Sequence, residues 1–264
     1  MAVKAEIDKL ITDAAMYIER ENYIEAKLLL EEYLTYAPLS AHNKDDSYSY
    51  TFEDISEYYL ALHKYNGKRK IKWAKYKTSE AYYMLSTIAL ANGDAKLASQ
   101  LIKTSLSFNP INAYARLQVA EIQRRYQDWD RMLEALFAAY DYICTEEAVA
   151  KFFRMAASCY QEQGSDDIAL CLYSLSLVYE KSPIAADAVF MLQDMTGITM
   201  ESLPMHERIK FIRNCELPLS VSKENLNILG KLMRDDKIQQ KYPEEIQKVV
   251  QRFTVLSAAY DLTY

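Results

Sequence analysis

The residues best suited to contact a ligand form a basic run that surrounds one aromatic side chain. This run consists of Lys68, Arg69, Lys70, Lys72, Trp73, Lys75 and Lys77. Basic groups contact phosphates and an indole ring stacks on bases, so the run fits a nucleic acid or another acidic partner. An acidic stretch precedes it, from Asp45 to Glu57. The run therefore also fits a solvated flap that packs Ile71 and Trp73 on the rest of the protein.

Motifs for catalysis are missing from the sequence. It contains no Gly-rich phosphate loop, no Gly-x-Ser-x-Gly turn and no His-Glu-x-x-His pair. The three histidines lie far apart, and the four cysteines lack metal-ligand spacing. These residues are His42, His63, His206, Cys144, Cys159, Cys171 and Cys215. We therefore expect no enzyme activity, no metal and no cofactor.

The composition of the sequence indicates a helical protein outside the membrane-spanning and secreted classes. The chain has 264 residues and a net charge of −6, which disfavours general binding to nucleic acids. Only 5 glycines and 6 prolines interrupt it, which is typical of helices with short connections. Residues 1–9 lack the apolar core of a secretory signal, and the uncharged run 81–93 is too short to span a membrane. Cys159 and Cys171 lie within apolar helix patterns and fit a reducing setting, so together these features predict a cytoplasmic protein.

The elements that would position a site are clearest between Ser79 and Pro110. Apolar residues recur there at helical spacing on both sides of an Asn92-Gly93-Asp94 break. Gly93 suits the left-handed backbone after a helix, and the Asp94 side chain can cap the next helix. The segment is therefore predicted to be an antiparallel helical hairpin.

This hairpin resembles the 34-residue unit of the tetratricopeptide repeat (TPR) family. The matching positions are Tyr82, Leu85, Ser86, Ala89, Gly93, Ala98, Ile102, Ser105 and Pro110. The resemblance is clear over 1–38 and 79–183 and weak beyond. It implies an all-α fold in which hairpins stack into a right-handed superhelix. We expect one array over residues 1–264, with a first hairpin at 1–38, an irregular insertion at 39–78, three hairpins at 79–183 and divergent helical hairpins at 184–264.

The resemblance also implies a concave groove lined by the first helix of each hairpin. The residues at those positions are Tyr83, Thr87, Leu90, Tyr114, Leu117, Glu121, Arg124, Lys151, Arg154, Ser158 and Gln161. Some family members grip a terminal carboxylate with Lys and Asn at set positions, which here hold other residues such as Tyr83 and Leu117. We therefore predict a non-catalytic scaffold that holds a protein or peptide in the groove. The alternatives are a nucleic-acid-associated regulator acting through Lys68–Lys77 and an intracellular peptide sensor.

Two structures compete for the insertion, residues 39–78. A helix over about 52–63 could end at Asn66-Gly67 and lead into an extended basic segment. Alternatively, Asn66-Gly67 could be a hairpin turn that places Leu62 opposite Ile71. We favour the helix. Whether the insertion covers the groove or forms a separate site stays open at this point.

Overall fold

The computed structural model describes residues 2–199 and 201–263, and these residues fold mainly as α-helices. The chain divides into two compact units after Arg125. This boundary lies inside the third predicted hairpin, so its first helix belongs to the first unit and its second helix to the second unit. The prediction of an all-α helical-repeat fold is confirmed.

The first unit contains six helices and two short strands among its described residues. They are α1 (Ala2–Glu19), α2 (Tyr23–Thr35), β1 (Ser47–Tyr50), α3 (Ile55–Tyr65), β2 (Lys70–Trp73), α4 (Thr78–Ala91), α5 (Ala95–Phe108) and α6 (Ala113–Arg125). The pairs α1–α2 and α4–α5 are antiparallel hairpins, and α2 also packs against α4. Residues 39–78 therefore leave the helical framework after the first hairpin and rejoin it at the second.

The α4–α5 hairpin forms where the sequence predicts it. Gly93 has φ +80°, a left-handed conformation that lets the chain reverse directly after α4. Asp94 then caps α5, because its carboxylate accepts a hydrogen bond from the Leu97 N–H at 2.8 Å. Where the two helices cross, Ser86 and Ala98 are fully buried, and the Ser86 hydroxyl donates to the Ala98 carbonyl. Small side chains allow this close approach.

The core of the first unit joins the two hairpins directly. One cluster combines buried residues of α1, α2 and α4: Ile7, Ile11, Ala14, Ala26, Leu30, Tyr33, Ala81, Met84, Leu85 and Ile88. A second cluster links α4, α5 and α6 through Ala89, Leu90, Ala98, Ile102, Ala115 and Ile122. Each hairpin buries its apolar face against the next, as expected for stacked repeats.

The insertion does not form a repeat hairpin, and its described residues contain two strands and one helix of their own. The strands β1 and β2 pair in parallel, with Ser47 opposite Lys70 and Tyr50 opposite Trp73, and α3 connects them. The expected helix is confirmed: it begins after Asp54, whose carboxylate caps it, and ends at left-handed Asn66. The hairpin alternative is wrong, because Leu62 lies within α3 and β2 pairs with β1 instead.

The second unit is helical over its described residues. It contains α7 (Trp129–Tyr140), α8 (Glu146–Glu162), α9 (Asp166–Tyr179), α10 (Pro183–Thr196), α11 (Met205–Asn214), α12 (Lys223–Leu232), α13 (Asp236–Lys241) and α14 (Pro243–Thr263). Helices α8 and α9 form a hairpin, and α10 packs against α9 and ends at Gly197. The Asn225 amide donates to the carbonyls of Asp141 and Ile143, which ties α12 to the end of α7.

Candidate functional site

A cavity of about 280 Å³ lies in the first unit, between the insertion and the N-terminal turns of α4 and α6. Its lining consists of Thr51, Phe52, Glu53, Lys77, Ser79, Glu80, Tyr83, Met84, Asn109, Asn112 and Tyr114. Tyr83 and Tyr114 are two of the predicted groove residues, and the structure brings both to this cavity. We call it the interhairpin cavity.

The insertion forms one wall of the interhairpin cavity because hydrogen bonds fix Thr51, the residue that follows β1. The backbone N–H of Thr51, directly after β1, donates to the Phe108 carbonyl at the end of α5 at 3.0 Å. The Thr51 hydroxyl accepts a hydrogen bond from the Ser79 N–H of α4 at 3.3 Å. These bonds fix the adjacent Phe52 and Glu53 at the wall. The insertion thus borders a face of the first helices of two hairpins.

A buried carboxyl group, Glu57 of α3, supports the same wall from behind. Its Oε2 accepts hydrogen bonds from the Glu53 N–H at 2.9 Å and from Asn109 Nδ2 at 2.8 Å. Burial raises the pKa of Glu57 to about 8, and the nearby carboxylates of Glu53 and Asp54 act in the same direction. Glu57 is therefore mainly protonated at neutral pH, which allows it to lie in the core.

The roles of Glu57 and Asn109 are not predicted from the sequence. The charge pattern groups Glu57 with an exposed acidic stretch, and Asn109 stands out only as part of a turn before Pro110. In the structure both side chains are buried, and Asn109 Oδ1 also accepts a hydrogen bond from the Ile111 N–H. A partial signal exists in the sequence, since Glu57 follows the α3 cap within an apolar helix pattern.

The charged groups of the cavity lining have partners within the protein. Lys77 Nζ lies 2.9 Å from Glu80 Oε2, and the Lys77 N–H donates to the Tyr33 hydroxyl at 2.6 Å. Burial raises the pKa of Tyr33 to about 12, so it stays a neutral phenol.

Asn112, another lining residue, caps α6, because its Oδ1 accepts a hydrogen bond from the Ala115 N–H. The polar groups thus fix the lining, and the rings of Phe52, Tyr83 and Tyr114 with Met84 supply its apolar surface.

Two predicted groove residues lie in the core instead. Leu90 and Leu117 are 4% and 0% exposed, so neither can contact a partner. Both are corrections to the predicted set: Leu90 packs in the cluster that links α4, α5 and α6, and Leu117 is fully buried on α6. Among the half-buried members, Thr87 donates to the Tyr83 carbonyl, and Arg124 Nε donates to both carboxylate oxygens of Glu121 on the same helix at 2.9–3.0 Å.

The remaining predicted groove residues belong to α8 of the second unit. They are Lys151, Arg154, Ser158 and Gln161, and all four are half-buried. Arg154 forms an ion pair with Glu180 after α9, with its Nη2 2.7 Å from Glu180 Oε2. This guanidinium therefore helps to hold the α8–α9 hairpin together.

The basic run of the insertion is largely engaged in the insertion itself. Lys70 and Lys72 lie 3.8 and 2.8 Å from Asp45 Oδ2. The Arg69 guanidinium lies over the rings of Tyr48 and Tyr65 and donates to the Tyr50 hydroxyl.

The Trp73 ring is stacked on Tyr58 at 5.5 Å and meets the edge of Phe52. Lys68 and Lys75 are exposed. The Trp73 ring thus packs within the insertion, whereas the solvated-flap alternative expected it to pack on the rest of the protein.

Metal binding and membrane crossing find no support among residues 2–199 and 201–263. They contain no group of three or more His, Cys, Asp or Glu side chains arranged to hold a metal ion. None of their helices has both the length and the apolar composition that crossing a membrane requires. Burial raises the pKa of the Cys159 and Cys171 thiols to about 11, so both stay protonated and are poor nucleophiles.

Comparison with solved structures identifies the fold. PilF of Pseudomonas aeruginosa aligns over 93% of this chain and 97% of its own chain, with 14% identity and a TM-score of 0.51. TTC0263, a thermophilic TPR protein of Thermus thermophilus, aligns over 95% and 98%, with 15% identity and a TM-score of 0.51. The chain has the TPR fold. No family model and no curated protein matches the sequence, so the TPR assignment rests on the structural likeness and on the hairpins described above.

Proposed function

We propose that this TPR-fold chain is a non-catalytic interaction scaffold that binds an extended segment of a protein partner. One side chain of that segment would occupy the interhairpin cavity. The observation that carries this proposal is the meeting of Tyr83 and Tyr114, from two successive hairpins, with Phe52 of the insertion at one cavity. Aromatic side chains of this kind are frequent anchors of protein interfaces.

The size of the cavity supports a peptide side chain as the occupant. Its volume of about 280 Å³ lies just below the usual range for drug-sized ligands, about 300–1,000 Å³. The apolar surface of Phe52, Tyr83 and Met84 favours an apolar or aromatic anchor through the hydrophobic effect. The surrounding amide and charged groups can then hydrogen-bond the backbone of the bound segment.

The charges of the site favour a protein partner over a nucleic acid. Lys77 is paired with Glu80, and Lys70 and Lys72 with Asp45, so each of these ammonium groups already faces a carboxylate. A phosphate backbone would have to compete with those carboxylates. The buried thiols fit a reducing compartment, and we propose the cytoplasm as the location.

The test uses peptides selected from a random library on the full chain. Tyr83→Ala and Tyr114→Ala are each expected to weaken binding of a selected peptide about tenfold or more, because each removes an anchor contact. Tyr126→Ala is the matched control, since this tyrosine is 57% exposed and does not line the cavity. Affinities are measured by fluorescence anisotropy.

Two results would count against the proposal. Peptides that bind both cavity variants as tightly as the unchanged protein would place the binding site elsewhere. The other result is that no peptide is selected from the library but a small molecule raises the Tm of the chain. That result would indicate a small-molecule site instead. Circular dichroism of each variant verifies that the helices are intact.

A further inference from the structure

The helix α10 carries exposed apolar side chains that the packing of the second unit leaves uncovered. Ile184, Phe190, Met191 and Met195 are 78%, 74%, 57% and 63% exposed. An adjacent face of α10 is buried: Ala185 and Leu192 are 0% exposed, and the helix packs against α9. Isolated exposed apolar residues are ordinary, but several on one helix mark an interaction surface.

Three of these residues, together with Ala188, have a spacing that indicates what kind of structure would cover them. Ile184, Ala188, Met191 and Met195 follow one another at intervals of four, three and four residues. This is the a/d spacing of a heptad repeat, which places all four on one stripe of the helix. We call it the α10 stripe. Such a stripe packs best against the stripe of a second helix.

Among the described residues of the second unit, the neighbouring helices do not supply this second helix. After α10 the chain continues into α11, which packs against α9 and places Ile209 and Ile212 near Cys171 and Leu175. Three residues of the α10 stripe, Ile184, Met191 and Met195, therefore remain exposed, although α10 begins like the first helix of a further hairpin, with a Ser182 cap and Pro183.

The charged residues beside the α10 stripe indicate what kind of helix would cover it. With the α10 stripe at the a and d positions, both g positions are acidic: Asp187 and Asp194, which are exposed. Charges at e and g select the partner of a coiled coil. In a second copy, antiparallel pairing of two α10 helices would bring these carboxylates face to face. In a parallel pair they would face Ala185 and Leu192, which are buried. A second copy of α10 is therefore a poor partner.

We propose that the α10 stripe binds an amphipathic helix of a partner protein, with basic residues beside its apolar seam. The bound helix takes the place of the second helix of an α10 hairpin. Met191 and Met195 suit such a surface, because their flexible side chains adapt to different apolar seams. This contact is separate from the peptide proposed for the interhairpin cavity, because it uses other residues.

The experiment uses two designed, fluorescein-labelled helical peptides of about three heptads with Leu at the seam positions. One carries Lys at both flanking positions and the other carries Glu there, so like charges keep each from pairing with itself. The full chain is expected to bind the Lys peptide about fivefold more tightly than the Glu peptide. The double variant Asp187→Lys/Asp194→Lys is expected to reverse this preference. The control Glu134→Lys/Glu162→Lys changes the net charge equally at exposed positions outside α10 and should retain the preference.

Met191→Glu tests the apolar contact and should abolish binding of the Lys peptide. The side chain is 57% exposed, so this substitution is not expected to unfold the helix, and circular dichroism verifies that. The proposal is overturned if the Lys peptide does not bind, or if Met191→Glu leaves its affinity unchanged. It is also overturned if sedimentation shows a dimer that Met191→Glu dissociates, because that result assigns the stripe to a second copy.

Discussion

Glu57 and Asn109 are joined by a 2.8 Å hydrogen bond between two buried side chains, although they lie 52 residues apart in the sequence. Glu57 belongs to the insertion helix α3, and Asn109 follows the second helix of the α4–α5 hairpin. The bond therefore ties the insertion to the helical framework. It does so directly behind the wall of the interhairpin cavity, where Glu53 and Asn109 are lining residues.

The protonation of Glu57 predicts how stability depends on pH. Its pKa is about 8 in the folded protein, above the ordinary value of 4.5. Between these two values the folded state retains a proton that the unfolded state has lost. The free energy of unfolding should therefore decrease as pH rises through this window and level off above about pH 8. Glu57→Gln should remove about 2–4 kcal/mol of this decrease.

Urea unfolding at several pH values, followed by circular dichroism, measures this effect. Glu162→Gln is the control, because that carboxylate is exposed at the end of α8 and its loss should leave the pH dependence unchanged. A Glu57→Gln protein with the same pH dependence as the unchanged chain would mean that Glu57 does not hold its proton in the core.

Removing the partner of Glu57 should weaken the first unit. Asn109→Ala leaves the carboxyl oxygen of Glu57 and the Ile111 N–H without their side-chain partner. We expect a loss of about 1–3 kcal/mol in the free energy of unfolding, because buried polar groups are costly when unsatisfied. Asn227→Ala, an exposed asparagine on α12, should change stability by less than about 0.5 kcal/mol. Equal stability of the two variants would show that the buried bond contributes nothing.

Replacing Gly93 or Gly230 by alanine should change the stability of the protein in opposite directions. Gly93 has φ +80°, and a Cβ added there would have no atom within 4 Å, so the penalty of Gly93→Ala is purely conformational, about 1–2 kcal/mol. Gly230 lies inside α12, and an added Cβ would meet Phe253 Cε2 at 3.4 Å, close to ordinary contact. Gly230→Ala should therefore raise stability by up to about 1 kcal/mol. Thermal unfolding of both variants provides the comparison, and a Gly93→Ala protein with an unchanged Tm would contradict the left-handed turn.

Asp45 is expected to limit the affinity of the insertion for polyanions. Its carboxylate lies next to the ammonium groups of Lys70 and Lys72, and the hydrogen bond from Lys72 above all holds its pKa well below the ordinary value. Asp45→Asn should release both lysines, so the protein should elute from heparin at higher salt. Asp46→Asn removes the same charge from the neighbouring exposed residue, which contacts His42 instead. If both variants shift elution equally, net charge rather than this cluster is responsible.

Local signals in the sequence predict much of the helical framework. Gly93 and Asp94 specify the turn between α4 and α5, and Asn66-Gly67 specifies the end of α3. In each case the signal and the structure it specifies lie within a few residues, so one sequence is sufficient. The small residues Ser86 and Ala98 likewise follow from the repeat unit, because their steric role is the same in each hairpin.

Features that depend on distant contacts were not predictable in this way. The parallel pairing of β1 with β2 joins two four-residue strands that have no tight turn between them, and the whole of α3 must cross over to bring them together. The burial of Leu117 depends on which neighbouring helix covers it, since its helical position alone is compatible with an exposed face. The neutral state of Glu57 depends on its burial against Asn109, far along the chain.

The hydrogen bond between Thr51 and Ser79 gives the insertion one more property. The Ser79 N–H lies 3.3 Å from Thr51 Oγ1, so α3 and β2 lie within a loop whose two ends meet at the start of α4. This loop is also fastened inside, because β2 pairs with β1 and Glu57 bonds to Asn109. Substitutions of Phe52 and Glu53 alter the shape of the neighbouring cavity. Evolution can thus change ligand preference at these two positions, whereas a substitution of Glu57 also changes the stability of the first unit.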